Sequence, residues 1–81
     1  MVCAPIIFGC SGTALSEEEI IFFSSVNPYG FILFDRNISE PQQLRNLTNQ
    51  LREVLKRPRL PILIDQEAVS YTHLLANETR H

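Results

Sequence analysis

The sequence predicts an α/β fold of order β-α-β-α-β, and three observations lead there. Three short apolar runs, at residues 5–9, 30–34 and 61–65, are too short for helices and end in turn or polar residues. Between them lie two segments with helix signals, a capping box at Ser16–Glu19 and a leucine stripe after Pro41. Both crossovers are long enough to hold a helix, which makes the strands parallel with right-handed connections.

In chain order, Pro5-Ile6-Ile7-Phe8-Gly9 forms the first strand and Gly9, Ser11 and Gly12 the turn after it. Ser16-Glu17-Glu18-Glu19 opens the first helix, with the Ser16 hydroxyl and the Glu19 carboxylate capping each other's N–H groups. Three glutamates in that turn suit the helix dipole. Ile20, Ile21 and Phe23 supply its buried side, with Phe22 as a further candidate. Pro28 then ends the helix by forcing Asn27 out of helical space.

Gly30-Phe31-Ile32-Leu33-Phe34 is apolar throughout, so a strand covered on both faces is expected there. Ser39 is the expected cap of the second helix and Pro41 falls in its first turn. Leu44, Leu47, Leu51, Val54 and Leu55 recur at spacings of three and four, giving one apolar stripe over residues 41–56. Lys56 and Arg57 close it, and Pro58 and Pro61 bracket the exit into the third strand, residues 61–65.

Composition narrows the function. Of 81 residues, 44% are hydrophobic and 20% charged, which fits a globular chain rather than a disordered tail. A net charge of −2 argues against nucleic-acid and anionic-membrane partners, which need a basic patch. No apolar run approaches the roughly 18 residues of a membrane span. Met1-Val2-Cys3-Ala4-Pro5 has no basic region and no long apolar stretch, so a cytoplasmic protein with reduced Cys3 and Cys10 is expected. A chain this short buries only roughly 60% of its unfolded surface and is marginal unless something completes it.

Two closures suit this order: an open doubly wound sheet, or the opening part of a (β/α)₈ TIM barrel. In both, ligands bind at the C-terminal ends of the strands. That places Asp35, Arg36, Asn37, Asp65, Gln66 and Glu67 on the functional face. If the third strand persists, Asp65 and Glu67 project to one side with roughly 6–7 Å between their backbone positions. Paired carboxylates at about 5–5.5 Å or 6.5–9.5 Å perform glycoside hydrolysis, and carboxylate clusters also hold Mg²⁺. The plain alternative is an acid that caps a strand or pairs with Arg36. Arg36 can clamp a ligand anion or fix the ionisation and aim of Asp65, and the second role is preferred. A small doubly wound module holding Mg²⁺ or phosphate at Asp35 and Asp65 is the alternative function.

Other motifs carry less. Gly9-Cys10-Ser11-Gly12 lacks the second glycine of a nucleophile elbow, because Thr13 occupies that position. Cys3 and Cys10 have no Cys or His partners at zinc spacing, so no metal site is expected. Asn37-Ile38-Ser39, Asn46-Leu47-Thr48 and Asn77-Glu78-Thr79 match the glycosylation sequon, which carries no weight in a cytoplasmic chain.

At Gly30-Phe31-Ile32-Leu33-Phe34-Asp35-Arg36-Asn37 and Pro61-Ile62-Leu63-Ile64-Asp65-Gln66-Glu67 the chain resembles the N-terminal part of the family-3 glycoside hydrolases. Within them it is similar to the bacterial cytosolic β-N-acetylhexosaminidases of peptidoglycan recycling. Ile7-Phe8-Gly9-Cys10-Ser11-Gly12 resembles that family's first strand and loop. The resemblance covers about residues 5–67. It implies a (β/α)₈ barrel that removes terminal N-acetylglucosamine from muropeptides with retention of configuration, without cofactor or metal. By the same resemblance, Asp65 is the carboxylate that accepts from hydroxyls of the bound sugar, an arrangement of charge-assisted bonds. Arg36 and Asn37 match supporting positions at the site mouth, and Glu67 a supporting acid behind it.

After Glu67 the pattern departs. The family continues Gly-Gly-Arg-Val with a further substrate-binding arginine, whereas Ala68-Val69-Ser70-Tyr71 follows here and His73 stands where that arginine falls. The family's Asp nucleophile and His acid/base belong to later segments, so no residue here takes either role. The expected division is therefore residues 1–67, an incomplete barrel portion, and residues 68–81, an unrelated tail that includes His73 and His81. A barrel needs about 250 residues, and 67 supply about a quarter of it. The chain by itself is expected to be inactive and poorly folded or oligomeric.

Overall fold

A computed structural model of the chain describes residues 3–65. Its elements are β1 (Ala4–Gly9), α1 (Glu17–Val26), β2 (Pro28–Leu33), α2 (Pro41–Val54) and β3 (Ile62–Ile64). The strands form one parallel sheet in the order β1-β2-β3, so the expected α/β arrangement is present. Within these three strands the winding does not reverse.

The capping box forms as expected. Glu19 N–H donates to the Ser16 hydroxyl at 3.1 Å, and Ser16 N–H donates to Glu19 Oε1 at 3.0 Å. Only part of the anticipated apolar side is buried. Phe23 is buried and Ile20 half-buried, whereas Ile21 is 70% exposed and Phe22 52% exposed. Ile20 and Phe23 stand three apart and share a face, which turns Ile21 away from the core. At the helix end Asn27 does leave right-handed helical space, with φ at 52° in the left-handed region. Asn tolerates that conformation better than most residues.

Two boundaries of α2 differ from expectation. The capping residue is Glu40 rather than Ser39, because both the Ser39 N–H and its hydroxyl donate to Gln43 Oε1, at 2.7 and 3.2 Å. The helix also closes earlier than residue 56. Lys56 takes φ of 55°, its N–H donates to the Glu53 carbonyl, and Arg57 N–H donates to the Arg52 carbonyl. This paired ending is a Schellman motif with lysine at the position usually given to glycine.

The core joins Phe23 of α1, Phe31 and Leu33 of β2, Leu44, Leu47 and Leu51 of α2, and Leu60 beyond it. Phe23 meets Phe31 edge-on with ring centroids 4.8 Å apart. Both helices therefore pack on the sheet face that carries Phe31 and Leu33. On the opposite face β2 itself is little exposed, with Gly30 buried and Ile32 half-buried, while its neighbours on β1 and β3 are more open. The register aligns Gly9, Ile32 and Leu63, and Ile7 beside Gly30, on the opposite face. There Leu63 is 49% exposed and Ile7 46% exposed. Among the described residues no helix is long and apolar enough to cross a membrane.

Candidate functional site

The three strands bring three segments together at their C-terminal ends: Cys10 after β1, residues 34–37 after β2, and Asp65 after β3. Asp65 N–H donates to the Leu33 carbonyl at 2.8 Å, which carries the parallel pairing of β2 and β3 one residue past the end of β3. Asp65 is half-buried there. Gln66 and Glu67 lie outside the described residues, as do the tail at 68–81, His73, His81 and the Asn77 sequon.

Asp35, Arg36 and Asn37 form a short 3-10 turn directly after β2, closed by Asn37 N–H donating to the Phe34 carbonyl at 2.8 Å. Asp35 and Arg36 are exposed, and Asn37 is fully buried. The Asn37 side chain satisfies each of its groups. Its Oδ1 accepts from Phe34 N–H at 2.8 Å, and its Nδ2 donates to the carbonyls of Cys10 at 3.1 Å and Gly12 at 2.6 Å. Arg36 Nε donates to the same Cys10 carbonyl at 3.1 Å, and its guanidinium lies over the Phe34 ring at 4.9 Å. These contacts hold the end of β1 against the turn after β2.

Two residues singled out by no site argument complete this bracing. Gln43 Nε2 donates to the carbonyls of Thr13 at 2.7 Å and Asn37 at 2.8 Å. Glu19 Oε2 accepts from Ser11 N–H at 2.9 Å. The backbone groups of Cys10, Ser11, Gly12 and Thr13 are thus held by four side chains from three other segments. Glu19 carried a sequence signal only for its capping role. Gln43 carried none, because its loop partner is 30 residues away.

Burial pushes the Cys10 thiol up to about 11, with the Glu19 carboxylate adding to the effect and Arg36 opposing it. A thiol held protonated is a poor nucleophile, so Gly9-Cys10-Ser11-Gly12 serves as a turn. Burial also raises the Glu19 carboxyl, but hydrogen bonds from Ser16 and Ser11 outweigh it and hold the group below its ordinary value. Among the described residues no three of His, Cys, Asp or Glu gather as a metal site would require. A cavity of about 710 Å³ lies at the opposite end of the fold, lined in part by Ser24, Asn27 and Arg57, and no candidate site residue borders it.

No family model matches the chain. Individual proteins do. The beta-hexosaminidase of Alkalilimnicola ehrlichii is 43% identical over 67 residues, covering 83% of this chain and 19% of that protein. The beta-hexosaminidase of Nitrosomonas eutropha is 37% identical over 67 residues with the same coverage. That of Histophilus somni is 37% identical over 62 residues, covering 76% of this chain and 18% of its own. The chain spans about a fifth of the length of the relatives it matches. Over its N-terminal four-fifths it is homologous to bacterial beta-hexosaminidases.

Proposed function

We propose that this chain is a segment of a β-N-acetylhexosaminidase of glycoside hydrolase family 3, a cytoplasmic enzyme that removes terminal N-acetylglucosamine from muropeptides during peptidoglycan recycling. The observation that carries the reading is 43% identity over 67 residues to a bacterial beta-hexosaminidase, and the Asp65 N–H on the Leu33 carbonyl, just ahead of the turn of Arg36 and Asn37, supports it. In this reading residues 1–67 are the opening part of a (β/α)₈ barrel, and residues 68–81 are unrelated to it. The single winding of the sheet and the apolar side chains on its open face support a barrel, whose interior such a face lines.

Asp65 is the sugar-binding carboxylate. As an ionised acceptor it takes hydrogen bonds from two adjacent hydroxyls, which are stronger and more directional than neutral pairs. Asn37 and Arg36 act by fixing the loop at residues 10–13 at the same end of the sheet, and Glu67 is a supporting residue. The nucleophile and the general acid belong to chain beyond residue 67, so the 81 residues alone do not turn over substrate. The test is a hybrid in which residues 1–65 replace the matched segment of the Alkalilimnicola ehrlichii relative. Hydrolysis of a chromogenic N-acetylglucosaminide by the hybrid, and none by the chain alone, is the expected result. A folded hybrid without hydrolysis contradicts the proposal.

A further inference from the structure

We propose that the cavity at the N-terminal end of the strands binds the phosphate group of a small phosphate monoester. It lies away from the candidate sugar site and does not depend on the glycosidase reading. Its volume of about 710 Å³ falls in the usual range for small-molecule sites. Ser24 and Asn27 line it from the end of α1, and Lys56 and Arg57 from just beyond α2. No carboxylate among the described residues borders it.

Arg57 is fixed in place. Its guanidinium donates to Asn27 Oδ1 at 3.3 Å and to the carbonyls of Pro28 and Tyr29. These acceptors are neutral, so the charge is held without being cancelled, and at least two of the five guanidinium N–H groups stay unused. Among the described residues neither Lys56 nor Arg57 pairs with a carboxylate. The carbonyl ends of α1 and α2 also meet here, each worth roughly half a negative charge. Two full positive charges exceed that. Arg52 and Arg59 flank the same lysine and add to the excess, against one acid, Glu53.

A phosphate monoester matches this set. It carries about −1.5 to −2 charge and three acceptor oxygens. Facing it are two cations, the Ser24 hydroxyl and the Asn27 side-chain N–H groups. A carboxylate, with one charge and two oxygens, leaves part of that set without a partner. Val54 and Leu55 give the cavity an apolar wall for the organic remainder.

The probe is phenyl phosphate, titrated by calorimetry into the 81-residue chain at about pH 7.5, where the dianion dominates, with ionic strength held constant. Saturable one-to-one binding is expected, tighter than that of inorganic phosphate because the ring meets Val54 and Leu55. Lys56→Asn weakens it by at least about tenfold. Asparagine tolerates the left-handed backbone of Lys56, so the substitution removes the charge and keeps the turn. Arg59→Gln deletes the same charge outside the cavity lining and leaves the affinity within about threefold.

Circular dichroism checks that each variant keeps its helices. The single-chain hybrid carries the same cavity residues and takes the place of the chain if the 81 residues alone lack helical dichroism. Absence of saturable binding overturns the site. So do equal losses in Lys56→Asn and Arg59→Gln, or inorganic phosphate binding as tightly as phenyl phosphate.

Discussion

Asn37 Nδ2 lies 3.1 Å from the carbonyl oxygen of Cys10, so one buried amide ties the end of β1 to the turn after β2. The same side chain reaches Gly12 and receives the Phe34 N–H. Asn suits this place because it both donates and accepts, and the position needs all three bonds.

Asn37→Ala removes those bonds and leaves polar backbone groups without partners, at a cost of about 2–4 kcal/mol. Asn37→Asp keeps the acceptor for Phe34 but sets a carboxylate against the Cys10 and Gly12 carbonyls. Its penalty is expected to shrink at acidic pH, where the protonated acid donates again. Urea unfolding of both variants across pH checks this, and a stability for Asn37→Ala equal to that of the parent contradicts it.

At Gly30 a Cβ would stand 2.6 Å from the Pro61 carbonyl oxygen, and at Gly12 it would meet nothing within 4 Å. Gly30→Ala therefore forces β2 and β3 apart and costs about 1–3 kcal/mol or more. Gly12→Ala is expected to be tolerated. Thermal unfolding of the pair separates a steric requirement from a general intolerance of glycine replacement.

The Glu19 carboxyl is held below its ordinary value in the folded chain. Its ionised form is favoured by folding, so the stability it contributes is present above the unfolded carboxyl value near pH 4.3. That contribution is lost as pH falls through the lowered folded value. Unfolding midpoints measured between about pH 6 and pH 3 should drop more steeply for the parent than for Glu19→Gln. Parallel acid limbs for the two proteins would remove Glu19 from the account.

Cys10 is buried with its thiol pushed up to about 11, while Cys3 is half-buried. Alkylation at about pH 8 under native conditions should modify Cys3 and spare Cys10, because the thiolate is the reacting form. Mass spectrometry reads the result directly. Equal labelling of both residues in the folded chain contradicts the packing around Cys10.

What the sequence showed, it showed through local signals. Ser16 and Glu19 stand three apart and the leucines of α2 repeat at helical spacing, so cap and stripe were legible from adjacent residues. Signals that need a distant partner were silent. Gln43 meets Thr13 across 30 residues, and that same Gln43 draws the groups of Ser39 away from the cap role. Four consecutive apolar residues at 20–23 carry no helical phase, so Ile21 reads as inward from sequence although it faces out. An apolar strand reads alike whether helices cover one face or two, so the exposure of Leu63 emerged only with the fold. At the candidate site, the order of strands and turns was enough to put Asp65, Arg36 and Asn37 at one end of the sheet. The bracing of residues 10–13 by Asn37, Arg36, Gln43 and Glu19 depended on tertiary geometry.

The most direct test of the account is Asp65→Ala in the single-chain hybrid with the Alkalilimnicola ehrlichii relative, read as kcat/KM on an N-acetylglucosaminide. Losing a charged acceptor of two sugar hydroxyls is predicted to lower kcat/KM by at least about 100-fold, with the unfolding midpoint of the hybrid unchanged. A folded Asp65→Ala hybrid that keeps kcat/KM within about threefold of its parent would contradict the assignment of Asp65 to the bound sugar.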